Sequence, residues 1–148
     1  MHQYGDYEQV KHFLQRLFDI TEKIIPKKNT MYTIGEANSG KSWFFEMVAS
    51  FHLNIGHVKN FNKFTSFPLN DCPNRRILIW NEPSIGPSQF ETVKMITGGD
   101  PCACSVKYEG DGKILRTPLL ITSNHHVFPA GDIWTSRIYT ERWKLSTM

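Results

Sequence analysis

The stretch Gly35-Glu36-Ala37-Asn38-Ser39-Gly40-Lys41-Ser42 fills all four fixed positions of the pattern G-x-x-x-x-G-K-[ST]. That pattern serves phosphate chemistry. Glycines let the backbone turn tightly and bring N–H groups against phosphate oxygens. A lysine at the Lys41 position reaches the β- and γ-phosphates of a nucleotide such as ATP, and a hydroxyl at Ser42 ligates Mg²⁺. With average residue usage, an accidental match arises in roughly one chain of this size in a few hundred.

Two further polar residues stand where such a site needs them. Ile77-Leu78-Ile79-Trp80-Asn81-Glu82 is an apolar run ending in an acid. In a phosphate-loop enzyme a carboxylate there holds Mg²⁺ or polarises the attacking water, so Glu82 is a candidate catalytic and metal-binding residue. The bland alternative is a solvated strand end. Pro118 to Asn124 is a second apolar run with a polar end. Asn124 there either orients a water beside the γ-phosphate or belongs to an ordinary turn. Cys102-x-Cys104 with His125-His126 invites a zinc reading, but no four-ligand spacing is present.

These residues need a scaffold. Met31–Ile34 reads as a buried strand feeding the glycine loop, and Ser42–Ala49 as the helix whose N-terminus would hold an anion. Residues 77–82 and 118–124 read as fully buried strands, the signature of a parallel sheet. Residues 6–25 carry Val10, Phe13, Leu14, Leu17, Phe18, Ile24 and Ile25 at helical spacing, with Asp6 and Gln9 as a capping box and Pro26 as the stop. This segment is either a packing helix or part of an oligomerisation bundle. His57–Phe61 is a short strand candidate. Residues 62–72 form an irregular connection whose phenylalanines either stack bases or anchor the loop. Gln89–Ile96 reads as a helix stopped at Gly98-Gly99. Residues 103–107 and 113–116 read as a hairpin with its tip at Glu109-Gly110-Asp111-Gly112. Lys107, Lys113 and the tip glycines suit a nucleic-acid backbone, although charged hairpin tips commonly face only solvent.

The bulk properties are compatible with one globular domain. The chain has 148 residues, 40% hydrophobic and 21% charged, which excludes a disordered class. A net charge of +3 and a pI near 8.8 permit nucleic-acid binding without demanding it. No apolar run reaches the length of a membrane span, so no membrane partner is expected. The N-terminus lacks a basic and apolar leader pattern, and three cysteines suit free thiols in a reducing compartment.

In order along the chain, several stretches together resemble the superfamily 3 helicase domain of parvovirus large non-structural (replication initiator) proteins. Lys28-Asn29-Thr30 through Ser42 resembles the Walker A region. Phe67–Cys72 followed by Ile77–Glu82 resembles Walker B and its approach. Gly98-Gly99 through Ser105-Val106-Lys107 resembles the B′ segment with its DNA-contacting hairpin, Thr117–Asn124 resembles motif C, and Ser136-Arg137-Ile138 resembles the arginine-finger site. The resemblance covers residues 28 to 143. It implies an α/β fold, that of an AAA+-like P-loop NTPase, with a central, mostly parallel sheet, flanking helices and a protruding β-hairpin. On that reading residues 1–27 form an N-terminal helical segment and residues 28–148 the ATPase core.

The same resemblance implies an ATP-dependent, Mg²⁺-dependent DNA helicase module of a viral replication initiator, acting on single-stranded and duplex DNA. It further implies a homo-oligomer, a hexameric ring with ATP between subunits and 3′ to 5′ strand separation, working in the host cell nucleus. Carried over, Lys41 and Ser42 hold phosphate and Mg²⁺, and Glu82 is the Walker B acid. Asn124 positions water, Arg137 is a finger offered to the next subunit, and Lys107 contacts DNA. Asn81 departs from the family, many members having a second acid there. Glu36 must point away from the phosphates. No His-x-His pattern of an origin-nicking domain precedes residue 28, so a fragment or minimal helicase core is expected. Two alternatives remain: an ATP- and DNA-binding oligomerisation module without helicase activity, and a small phosphate-loop kinase.

Overall fold

The computed structural model describes residues 3–61 and 66–145. A five-stranded sheet forms its centre, in the order β2-β3-β6-β1-β7, with every pairing parallel. The strands are β1 (Thr30–Gly35), β2 (Ile55–His57), β3 (Ile77–Asn81), β6 (Leu119–Ser123) and β7 (Ile138–Trp143). Alternation within the strands supplies two apolar faces. Met31, Ile77, Ile79 and Leu120 point to one side, against Phe13, Leu17 and Ile20 of helix α1 (Tyr7–Thr21) and Phe45 and Ala49 of helix α2 (Lys41–Ser50). Tyr32, Ile34, Leu78, Trp80, Leu119 and Ile121 point to the other. There they meet Val93 and Ile96 of helix α3 (Phe90–Gly98), the hairpin β4 (Cys102–Val106) and β5 (Gly110–Ile114), and Trp134 of the short helix α4 (Asp132–Thr135). The mostly parallel sheet, flanking helices and hairpin agree with the architecture expected from the sequence. Among the described residues no helix is long and apolar enough to cross a membrane.

Helix α1 starts where its capping residues place it. The Asp6 carboxylate accepts from the Gln9 N–H at 2.9 Å, and the Gln9 amide oxygen reaches back to the N–H of Gly5. Its end corrects the expected one. The helix stops at Thr21 rather than at Pro26, because Lys23 turns left-handed at φ 56° and closes a Schellman motif. Ile24 N–H donates to the Asp19 carbonyl and Lys23 N–H to that of Ile20. Leu14 and Phe18 stay about half exposed, so only part of the apolar pattern reaches the core.

Two other boundaries differ from the sequence reading. The short strand runs over Ile55–His57, not His57–Phe61. Gly56 sits inside it because a Cβ there would lie 2.5 Å from the Asp71 carbonyl oxygen. The hairpin turns at Lys107-Tyr108-Glu109, and Gly110, Asp111 and Gly112 belong to β5. Strand β7 and helix α4 were not expected at all. Asn62–Thr65, within the irregular connection, lie outside the described residues. Phe61, the residue before that connection, packs its ring 5.7 Å from Trp80, and Phe64 lies outside the described residues.

Gly35 joins the sheet to the glycine loop and pairs with Trp143 across β1 and β7. A Cβ at Gly35 would lie 2.2 Å from the Trp143 carbonyl oxygen, a backbone atom that cannot swing away. Gly35→Ala is therefore expected to cost at least about 2 kcal/mol of stability, as overpacking against a fixed backbone does. Urea denaturation measures it, and an unchanged midpoint would mean that β7 shifts freely.

Candidate functional site

The sheet topology gathers the polar strand ends. β6 lies between β1 and β3, so Asn124, Gly35 and Glu82 all emerge at the carboxyl edge of three adjacent strands. Helix α2 begins at the same edge. Its N-cap is Gly40, left-handed at φ 85°, with no side-chain capping bond, and its first-turn N–H groups have no intrahelical acceptor. A Cβ at Gly40 would meet nothing within 4 Å. The loop thus leaves a concavity lined by backbone donors, the arrangement that suits an anion. Glu36 is exposed and is not among the residues lining the cleft beside the loop.

Between loop residues 37–42, Trp43, Glu82 and Asn124 lies a cleft of about 310 Å³. Its polar groups are already connected. The buried Lys41 ammonium donates to the carbonyls of Gly35 and Glu36, both at 2.8 Å, to Ser39 Oγ at 3.1 Å and to Asn124 Oδ1 at 3.0 Å. The Asn124 N–H donates to both carboxylate oxygens of Glu82, at 3.0 and 3.2 Å. Asn124 therefore links the cation to the acid. Burial pulls the Lys41 pKa below the ordinary lysine value, and the Glu82 charge draws it part of the way back. Glu82 holds a left-handed backbone at φ 49°, uncommon for a residue with a Cβ, and its N–H is fixed by the Thr122 carbonyl at 2.8 Å. Strain of this kind concentrates at functional sites.

Asn81 does not face the cleft as a second acid would. Its amide oxygen accepts from the Thr122 hydroxyl at 2.6 Å, and its amide nitrogen donates to Glu46 of α2 at 3.3 Å. An aspartate there would lose the donor and place two carboxylates together. The amide thus braces β3 against β6 and α2.

Lys41, Ser42, Glu82 and Asn124 come together, and Arg137 does not join them. The Arg137 carbonyl accepts from the N–H groups of Asn29 and Thr30 at the start of β1. The six residues of β1 therefore separate it from the glycine loop by roughly 17 Å. Its guanidinium lies against Gly98, with Nη1 on the Ile133 carbonyl at 2.6 Å and Nε buried without a partner among the described residues. Arg142 ends at the loop side of the sheet and meets His126 Nε2 at 3.1 Å.

Lys107 and Tyr108 form the hairpin turn, both exposed, with the ammonium 5.0 Å from the ring centre. The Lys107 N–H is held by Asn70 Oδ1 at 2.7 Å, which ties the turn to the loop preceding β3. Lys113 lies lower, on the shaft opposite Ala103, so the tip lysine is Lys107 alone. The zinc reading gains no support among the described residues. Cys102 and Cys104 are buried beside Cys72, whose thiol burial pushes up to about 12. Among the described residues no three potential ligands gather.

The model of the parvovirus non-structural protein NS1 family matches residues 6–136, most of the chain. The chain belongs to that family. Initiator protein NS1 of Bombyx mori densovirus is 35% identical over 133 residues, covering 90% of this chain and 15% of the relative. Initiator protein NS1 of Junonia coenia densovirus is 34% identical over 139 residues, covering 93% and 26%. This NS1-family chain thus spans 15% and 26% of the length of these two relatives. Among solved structures, a ligand-bound JCV helicase aligns with a TM-score of 0.73 over 95% of this chain and 42% of its own, at 13% identity. The apo C-terminal region of NrS-1 aligns at 0.68 over 94% and 35%, at 15% identity. At those identities the likeness concerns the fold alone, which the chain shares with part of the JCV helicase and of the NrS-1 C-terminal region.

Sequence reasoning missed Trp43, which borders the cleft, and the bracing role of Asn81. An aromatic residue directly after the Lys41-Ser42 pair was the available signal for the first. The second needed β3, β6 and α2 in register.

Proposed function

We propose that the chain is the ATP-hydrolysing DNA helicase module of a viral replication initiator, working as a ring of identical subunits in the host nucleus. The observation that carries the reading is the convergence of Lys41, Asn124 and Glu82 in one hydrogen-bonded line at the mouth of an open phosphate loop. Phosphoryl transfer is chiefly positioning and charge stabilisation, and these groups supply both. The loop N–H groups and Lys41 bind the phosphates of ATP. Ser42 and Glu82 are the residues suited to hold Mg²⁺, which neutralises charge on the β- and γ-phosphates when bound. Asn124 orients the attacking water. Lys107 follows a nucleic-acid backbone without reading its sequence. Arg137, remote from its own loop, completes the site of the neighbouring subunit, the homo-oligomer being hexameric on this reading.

Phosphate release from ATP with Mg²⁺ tests the proposal. Turnover is expected and is expected to rise several-fold with single-stranded DNA. Tight ATP binding without phosphate release, with or without DNA, would instead favour a binding module. Transfer of phosphate to an added nucleoside would favour a kinase.

A further inference from the structure

Trp43 is 73% exposed, whereas Trp80, Trp134 and Trp143 are each at most 8% exposed. A large aromatic ring left in water forfeits the burial that normally fixes its place in a fold. Trp43 makes no aromatic pair among the described residues, unlike its helix neighbours Phe44 and Phe45, which stack into the α1 side of the sheet. Its location is specific. It stands in the first turn of α2, two residues after Lys41, and borders the same cleft as Lys41, Ser42, Glu82 and Asn124. Side chains on a helix lean toward its N-terminus, so a residue in the first turn leans over the loop that precedes it.

We infer that Trp43 is the base platform of the nucleotide site, its indole face stacking on the nucleobase of a triphosphate whose phosphates lie in the loop. The inference rests on the phosphate-site reading and adds to it the recognition of the other end of the ligand. Three features support the assignment. The ring is planar, exposed and beside the loop residues that would hold the phosphates, as a stacking partner must be. Aromatic stacking on bases is a substantial, geometry-tolerant term. The cleft otherwise offers polar groups concentrated at the loop and strand ends, so affinity for a base beyond them needs an apolar surface. Met47 and Phe51 follow Trp43 at helical spacing and are also exposed. A face running through all three is the competing use of the ring, as a contact between copies of the chain.

The experiment compares ATP with inorganic tripolyphosphate, both with Mg²⁺, on the full 148-residue chain. Binding is followed by calorimetry and tryptophan emission. Because the other three tryptophans are buried, changes in iodide-accessible emission report Trp43. ATP is expected to shield it, and tripolyphosphate to bind without doing so. Trp43→Ala is expected to weaken ATP about tenfold while changing tripolyphosphate by less than about twofold, and Trp43→Phe to restore most of the loss. Equal losses for both ligands, or unchanged ATP affinity in Trp43→Ala, overturn the inference while leaving the phosphate site intact. A Trp43→Ala chain whose only change is a lower sedimenting mass overturns it in favour of a subunit contact. Failure of the wild-type chain to bind either ligand overturns both the inference and the phosphate-site reading.

Discussion

Lys41→Ala is expected to reduce ATP turnover by on the order of 10³-fold, the size of effect seen when a preorganised charge-stabilising group is removed. Lys41 is 5% exposed and anchors four acceptors at once, from both ends of the loop and from Asn124 just after β6. Its removal takes away the only cation bordering the cleft among the described residues. It also releases Asn124, whose amide oxygen then has no fixed partner on the loop. Two losses therefore coincide, of charge and of positioning. Lys41→Met separates them from misfolding, because it keeps an unbranched, uncharged side chain in the buried position. Both variants should melt within a few degrees of the parent, since the freed carbonyls border an open cleft that water enters. Undiminished phosphate release from either variant would remove Lys41 from the chemistry and with it the reading of the site.

Apart from Trp43, the residues lining the candidate cleft were readable because each sits at a punctuation point of the backbone. Gly40 must be left-handed and Gly35 must lie against the β7 backbone, so glycine at these positions reports geometry as well as a motif. Glu82 and Asn124 end apolar runs, and the parallel order puts them side by side. What escaped were elements lacking such marks. Strand β7 reads Ile-Tyr-Thr-Glu-Arg-Trp, with two charges in the middle, and so fails as a buried run. Its Glu141 is nevertheless buried, accepting from Tyr4 at 3.2 Å and pairing with Arg16 of α1, contacts across more than a hundred residues of chain. The β-rich composition of the segment was the remaining signal. The helix end at Thr21 escaped because lysine, not glycine, takes the left-handed turn. The hairpin tip was misplaced because glycine within β5 reads as a turn, while Tyr108 takes positive φ at the turn itself.

Arg137→Ala is expected to leave ATP binding within a few-fold of the parent and to lower turnover by about 10³-fold or more, the range for an arginine finger. The distance along β1 prevents Arg137 from touching a nucleotide in its own loop without unravelling the sheet, so a direct contact with ATP would have to come from another copy. That geometry gives a test no single variant provides. A Lys41→Ala chain retains its finger and lacks a working loop, and an Arg137→Ala chain has the reverse. Neither should turn over ATP alone. Mixed in equal amounts, they should recover a fraction of parental activity, from interfaces that join an intact loop to an intact finger. Arg137→Lys addresses the packing of the guanidinium against Gly98 and the Ile133 carbonyl. It keeps a cation but loses the planar fork, and should remain near the low activity of the alanine variant. Full activity in Arg137→Ala would move the finger to Arg142, which lies at the loop edge of the sheet. Loss in both variants with no recovery on mixing would mean that Arg137 acts through the fold of its own chain, and the shared site between subunits would be excluded.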